Sequence, residues 1–174
     1  MSPETIFRIH LVLGYLAWLL CFGTYVLPRL KAVDRMDAHR AIATLHSFRF
    51  FGLVLMLPGV VGPDLPASFA ASAAYGDFAT GILALLALLT VRLRPLFWPF
   101  VVAFNLVGMA DIVVDYYHAV RIDLPAMAGQ LGAMYAIPII YVPILMITHV
   151  VAIYWLVRPH PQTAQSLAAD MSAS

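Results

Sequence analysis

The chain has 174 residues, of which 63% are hydrophobic and only 11% are charged, and its formal net charge at pH 7 is +1. Soluble domains are about 45–50% apolar and about 25% charged, so this composition excludes an ordinary soluble protein and indicates an integral membrane protein. The small net charge offers no general attraction to nucleic acid, and the length suits one compact bundle. The single cysteine, Cys21, excludes an internal disulfide.

Five hydrophobic segments follow one another, each about long enough to cross the roughly 30 Å hydrocarbon core of a bilayer. They cover residues 6–27, 38–61, 69–91, 96–120 and 131–157. The pattern predicts an all-α integral membrane bundle of five transmembrane helices at 1–158, followed by a disordered cytoplasmic tail at 159–174. The second segment is the least apolar, because it opens with His39, Arg40 and His46. A re-entrant segment is the alternative there.

The basic residues fall unevenly on the two sides of the predicted bundle. Eight of the ten lie on one side, and only Arg8 and Arg121 lie on the other. Cytoplasmic loops of membrane proteins carry an excess of lysine and arginine. The distribution therefore predicts an inner (cell) membrane protein with its N-terminus outside and its C-terminus in the cytoplasm.

Two carboxylates and an imidazole interrupt the fourth segment. Asp111, Asp115 and His118 fall at i, i+4 and i+7, within an arc of about 60° on a helix. Ionisable groups in hydrocarbon are costly, so they are expected to face the bundle interior or a water cavity. With Asp77 of the third segment, they could bind a divalent metal or perform acid–base catalysis on a lipid or isoprenoid. The alternative is that these side chains cap tyrosines or bind water.

Histidines at matched depths support a second interpretation. His46 and His149 lie at similar distances from the basic ends of their segments, as the axial ligands of an inner haem b would. His10 and His118 could hold an outer haem b in the same way. Gly14 lies one turn after His10 and would let a macrocycle approach the helix. The alternative is that each histidine hydrogen bonds to a neighbouring helix.

Sorted by predicted depth, the buried polar residues form two layers. The outer layer comprises His10, Tyr75, Asp77, Asp111, Asp115, His118, Gln130 and Tyr135, and the inner layer comprises His39, His46, Arg49, Thr148 and His149. Apolar residues at 101–104 and 137–147, apart from Tyr141, separate the layers. A proton path would therefore be interrupted, and transport would require a homo-oligomer. A binding or assembly subunit, whose polar residues only fix helix register, is a further alternative.

The first helix resembles that of a group of small membrane proteins. The residues that carry the resemblance are His10, Trp18, Gly23, Tyr25 and the exit Leu27-Pro28-Arg29-Leu30. The group includes the membrane-bound, HemJ-type protoporphyrinogen oxidases and copper-resistance D-type proteins, and the match covers roughly the first thirty residues. The resemblance implies haem b with His10 as a ligand. Those oxidases use an intramembrane lysine, whereas the only lysine here, Lys31, lies in a loop.

The leading prediction from the sequence is a haem b membrane protein in electron transfer or small-molecule oxidation. Its partners would be the lipid bilayer and a hydrophobic, quinone-like molecule. The alternative is a metal-dependent or acid–base enzyme that uses Asp77, Asp111, Asp115 and His118.

Overall fold

The computed structural model describes residues 1–158, and every regular element in this part of the chain is helical. Four helices are long and apolar enough to cross a membrane: Pro3–Ala32, Ala67–Leu89, Arg94–Arg121 and Ile137–Val157. The predicted all-helical character is confirmed, and these four helices are consistent with a multi-pass membrane protein. The predicted tail at 159–174 lies outside the described residues.

Helix α1, Pro3–Ala32, lies at the periphery of the bundle. It begins at the Ser2 hydroxyl, which accepts the backbone N–H of Thr5, and it contains a π-helical turn at Phe22–Val26. Only 6% of its most apolar stretch is buried, against 33% to 44% in the other three candidate spans. Leucines on its outer face are correspondingly exposed, which suits contact with lipid.

The second predicted span is not one continuous α-helix. Helix α2 covers only Arg35–Ser47, and a 3₁₀ segment, Phe48–Met56, continues it. The 3₁₀ backbone packs closely on the next long helix, because a Cβ atom at Gly81 would lie 2.8 Å from the backbone nitrogen of Phe50. A transmembrane α-helix needs about 20 residues, so α2 is too short to span as a helix on its own.

Helices α3, Ala67–Leu89, and α4, Arg94–Arg121, follow each other after a short turn and pack against one another. The buried face of α3 is made mainly of small residues, which let neighbouring backbones approach closely. They are Ala70, Ala73, Ala74, Gly81, Ala84 and Ala87.

Helix α5, Ile137–Val157, begins with a π-helical turn at Ile137–Tyr141 and follows a 3₁₀ segment, Ala128–Tyr135. Pro143 has no N–H, so the carbonyl of Ile139 lacks its usual helical hydrogen bond. The backbone carbonyls at this turn contact α1 instead. The Trp18 indole donates to the carbonyl of Ile140 over 2.7 Å, and Gly14 lies directly against the carbonyl of Ile139. The small residue predicted to admit a macrocycle therefore admits the backbone of α5 instead.

Two hydrophobic clusters occupy opposite ends of the bundle. The C-end cluster lies where α5 ends and includes Phe97, Phe104 and Trp155. The N-end cluster lies where α1 begins and includes Phe7 and Phe69. Between the clusters lies a band of buried polar side chains, and this band contains the candidate site.

Candidate functional site

A buried arginine lies between the two clusters, where α2 passes into the 3₁₀ segment. Arg49 is 1% exposed, and its guanidinium contacts α3, α4 and α5. Its Nε donates to Asp77 Oδ1 over 2.6 Å, and its Nη2 donates to Asp111 Oδ2 over 2.5 Å. Its Nη1 donates to the carbonyl of Gly108 over 3.3 Å and lies 3.1 Å from His149 Nε2. We refer to Arg49, Asp77 and Asp111 as the Arg49 cluster.

The Arg49 guanidinium is almost fully used by protein acceptors. Arginine carries five N–H groups. Here the Nε–H, both N–H groups of Nη1 and one of Nη2 have partners within the protein. Burial of a charge is tolerated only when the charge is paired and hydrogen bonded, and the two carboxylates meet that condition.

Three glycines make room for these side chains. At each, an added methyl group would overlap with a polar side chain of the site: Gly52 with Asp77, Gly76 with Asp111, and Gly108 with His149. The close approach of four helical elements around one guanidinium therefore depends on residues that have no side chain.

Two histidines in ring contact lie beside the Arg49 cluster, on the side of the C-end cluster. His46 and His149 are fully buried, and their ring centroids are 3.9 Å apart. His46 Nε2 lies 3.0 Å from the Thr148 hydroxyl, and His149 Nδ1 lies 3.0 Å from Asn105 Oδ1. Because Nε2 of His149 accepts from Arg49, its Nδ1 carries the proton and donates to Asn105. The hydrogen bonds therefore assign His149 as a neutral imidazole.

The histidines, as arranged, do not fit the axial ligands of haem b. A bis-histidine haem places the iron and its macrocycle between the imidazoles, and rings whose centroids are 3.9 Å apart leave no space for it. Both nitrogens of His149 also have protein partners. In the predicted outer pair, His10 is exposed and lies 3.0 Å from the Tyr135 hydroxyl, while His118 contacts the adjacent tyrosine ring. Haem b therefore stays a prediction from the sequence.

The residues predicted to bind a metal are divided between different surroundings. Asp111 pairs with Arg49, Asp115 lines a cavity, and the His118 ring lies beside the Tyr117 ring. Within residues 1–158, no group of three or more histidine, cysteine, aspartate or glutamate side chains is arranged to hold a metal ion. The geometry of the described residues therefore gives no support to the Asp111–Asp115–His118 metal site.

A cavity of about 220 Å³ extends from the N-terminal end of the bundle to the Arg49 cluster. Its walls are mainly apolar and include Phe7, Leu11, Leu55, Phe69, Ile112 and Leu131. Arg49, Asp77 and Asp115 form the polar floor, and Arg8 and Asp123 lie at the exposed mouth. The Asp115 Oδ1 atom is buried and has no hydrogen-bond partner among residues 1–158. The cavity therefore combines apolar walls with an unsatisfied acceptor.

The predicted separation of the polar residues into two layers is wrong. Arg49 of the inner layer contacts Asp77 and Asp111 of the outer layer directly. The long side chain of Arg49 extends from the end of α2 to the carboxylates of α3 and α4. Arginine does not release its proton in proteins, so this contact joins the layers electrostatically without completing a proton path.

One sequence signal points to this arrangement. Arg49 opens the apolar run Phe50–Met56, and an arginine at such a depth requires an acidic partner. The carboxylates within the apolar segments are few: Asp77, Asp111 and Asp115. Elimination would therefore have named three candidate partners for Arg49, but not which two of them it contacts.

No curated protein and no solved structure matches the chain. The family described as a domain of unknown function, DUF8737, matches residues 6–157. This range contains all four candidate membrane spans except the first few residues of α1. It also contains the Arg49 cluster and the cavity lining. The chain belongs to the DUF8737 family.

Proposed function

We propose that this membrane protein binds a small lipid-soluble molecule in the cavity and exchanges a proton with it through Asp115. The observation that carries the proposal is the cavity itself, in which apolar walls end at a floor of Arg49, Asp77 and Asp115. Ligand sites are typically apolar concavities with a few polar groups that orient the ligand. An apolar cavity of roughly 150 Å³ suffices for benzene, so this one admits a somewhat larger molecule.

Asp115 is the floor residue that is free to act on a ligand. The oxygens of Asp77 and Asp111 that face Arg49 are engaged by its guanidinium, whereas Asp115 Oδ1 has no partner among residues 1–158. An unsatisfied buried polar atom costs about 1–3 kcal/mol, which a hydrogen bond from a ligand would offset. Asp115 would then accept or return a proton, and Asp77 and Asp111 would hold Arg49 in place as positioning residues.

The sequence offered an acid–base enzyme as an alternative to the haem protein, and the proposed function keeps that chemistry but changes the roles of the residues. Asp115 becomes the candidate catalytic residue, and Asp77 and Asp111 support it. His118 does not line the cavity, and it has no part in the proposed reaction. A lipid or isoprenoid-like substrate stays consistent with the apolar walls.

A filled cavity provides the test of binding. Ala119 lines the cavity, while Ala110 lies on the exposed face of the same helix. We expect n-octanol, n-octylamine or n-octanoate to raise the Tm of the wild type and of Ala110→Phe in lipid nanodiscs, but not that of Ala119→Phe. A wild type whose Tm is unmoved by all three amphiphiles would overturn the proposal.

For the topology we propose five crossings of the inner membrane, with the N-terminus outside and the C-terminus in the cytoplasm. Two contacts support a crossing by 35–62: Arg35 Nη2 donates to the Leu156 carbonyl at 3.2 Å, and Gly62 N–H donates to the Gln130 carbonyl at 2.7 Å. The excess of basic residues at the C-terminal end supports the orientation.

Labelling of single cysteines tests this topology in a Cys21→Ala background. With an impermeant maleimide applied to intact cells, we expect Asp64→Cys to react and Arg92→Cys to react only after lysis. A re-entrant second segment would place residue 92 outside and residue 64 inside, which reverses both results.

A further inference from the structure

We infer that the cavity selects an amphipathic amine, whose apolar chain lies along the walls and whose ammonium group binds Asp115. This inference rests on the proposed function, because it names the class of molecule that the same cavity would bind. It follows from the charges around the floor, from the hydrogen bonds that Arg49 already makes, and from the free acceptor on Asp115.

The charges around the cavity favour a cation. At the floor, the single guanidinium of Arg49 faces Asp77, Asp111 and Asp115. At the mouth, Arg8 pairs with Glu4 at 2.6 Å, and Asp123 is also present. Carboxylates therefore outnumber cations at the floor, and the lining cation at the mouth, Arg8, already has a carboxylate partner. An anionic head group would approach like charges in a poorly solvated space, whereas an ammonium group would reduce the imbalance.

Arg49 has little capacity left for an anionic ligand. Arginine recognises carboxylates and phosphates best through two adjacent N–H groups. The edge formed by Nε and Nη2 is occupied by Asp77 and Asp111, and Nη1 bonds to Gly108 and His149. The arginine at the floor is therefore compensated by the protein and does not form an anion site.

Asp115 supplies the complementary acceptor for an ammonium donor. Its Oδ1 atom has no hydrogen-bond partner among residues 1–158, and its side chain lines the cavity. The neighbouring wall residue Tyr116 is hydrogen bonded to Tyr15 at 2.7 Å. An ammonium group would bring both a charge and several donors to Asp115, whereas a hydroxyl group would bring one neutral donor.

Three ligands with the same eight-carbon chain isolate the contribution of the head group. We would measure the binding of n-octylamine, n-octanol and n-octanoate at pH 7 to the protein in zwitterionic nanodiscs, with empty nanodiscs subtracted. We expect the amine to bind about tenfold more tightly than the alcohol, because charge-assisted hydrogen bonds are stronger than neutral ones. Octanoate should bind most weakly.

Asp115→Asn should reduce the affinity for octylamine to that for octanol, while Asp123→Asn at the mouth should preserve the order. If octanoate binds best, or if Asp115→Asn keeps the preference for the amine, the inference is wrong and the proposed binding function stands. If none of the three ligands binds the wild type, both fail. The order of affinities in the wild type does not depend on the folding of any variant.

Discussion

Large side chains fill the C-terminal end of the bundle, whereas the N-terminal end encloses a cavity. In the C-end cluster, Phe97, Val101 and Phe104 are fully buried on regular helix. At the other end, two 3₁₀ segments, Phe48–Met56 and Ala128–Tyr135, contribute to the walls. Both ends are lined by apolar side chains. They differ in how tightly these side chains pack and in how regular the helices are.

The two ends of the bundle therefore have separate roles. A close-packed core tolerates little change in volume and supplies stability. Irregular helical segments keep side chains apart and leave room for a ligand, as in the cavity of about 220 Å³ at the N-terminal end. The Arg49 cluster lies at the boundary, and it ties both ends together through contacts to three helices.

The largest effect is expected at that boundary, from Arg49→Met. The substitution leaves the carboxylates of Asp77 and Asp111 buried without their partner, and breaking a buried ion pair in this way costs about 3–5 kcal/mol. Chemical denaturation in detergent micelles would measure the free energy of unfolding. Arg40→Met removes a half-exposed pair with Asp37 and should cost less than about 1 kcal/mol. Equal losses for the two variants would contradict the proposed compensation of buried charge.

A smaller loss is expected from Gly108→Ala. The added methyl group would overlap with the His149 imidazole and lie 2.6 Å from Arg49 Nη1. Overpacking of this kind costs about 1–3 kcal/mol, and we expect the upper part of that range because two polar groups must move. Gly23→Ala is the matched control, since nothing lies within 4 Å of its Cβ position. A Tm of Gly108→Ala equal to that of Gly23→Ala would show that the cluster can rearrange freely.

The contrast between the two ends is tested by one substitution at two positions of α3. Ala84 is fully buried in the C-end cluster, and Ala73 lines the cavity at the opposite end. We expect Ala84→Leu to lose about 2 kcal/mol through overpacking, and Ala73→Leu to lose less than about 1 kcal/mol. Thermal melts of both variants would measure the difference. Similar losses would mean that the cavity is as intolerant of added volume as the packed end.

Much of the fold follows from local patterns in the sequence. The long apolar runs predict the helices that the structure contains, because about 20 apolar residues suffice for a span whatever their neighbours. The second segment differs, since Gly52 and Gly81 allow a close approach to α3 that only tertiary packing reveals. Local hydropathy therefore identified the segment as apolar but did not predict its change from α-helix to 3₁₀ helix.

The site was predictable in its residues more than in its pairing. In the sequence, Asp77, Asp111 and Asp115 are carboxylates within apolar segments. In the structure, Asp77 and Asp111 pair with Arg49, and Asp115 lines the floor of the cavity. Depth grouped Arg49 with His149, which it does contact, but did not predict that its long side chain also reaches Asp77 and Asp111. Matched depth did pair His46 with His149, and their rings lie side by side, but in direct contact and not with a haem between them.

The smallest effect is expected from Asp34→Ala, at the start of α2. The Asp34 carboxylate accepts the backbone N–H groups of Met36 and Asp37 over 2.8 and 2.9 Å. Loss of such a cap costs about 1 kcal/mol. Because Asp34 lies near the C-terminal end, far from the cavity along the bundle, we expect the substitution to lower stability and to leave the affinity for octylamine unchanged.

The same cap predicts a dependence on pH. Hydrogen bonds from the backbone N–H of Asp37 and of Met36 lower the pKa of the Asp34 carboxyl below its ordinary value. Since the pKa is lower in the folded state than in the unfolded one, the stabilisation is fully present above about pH 4 and disappears as pH falls through the folded pKa. The Tm difference between wild type and Asp34→Ala should therefore shrink in acid. Asp34→Asn caps the helix without titrating, so its advantage over Asp34→Ala should persist in acid, and a parallel loss in both would assign the pH effect to another group.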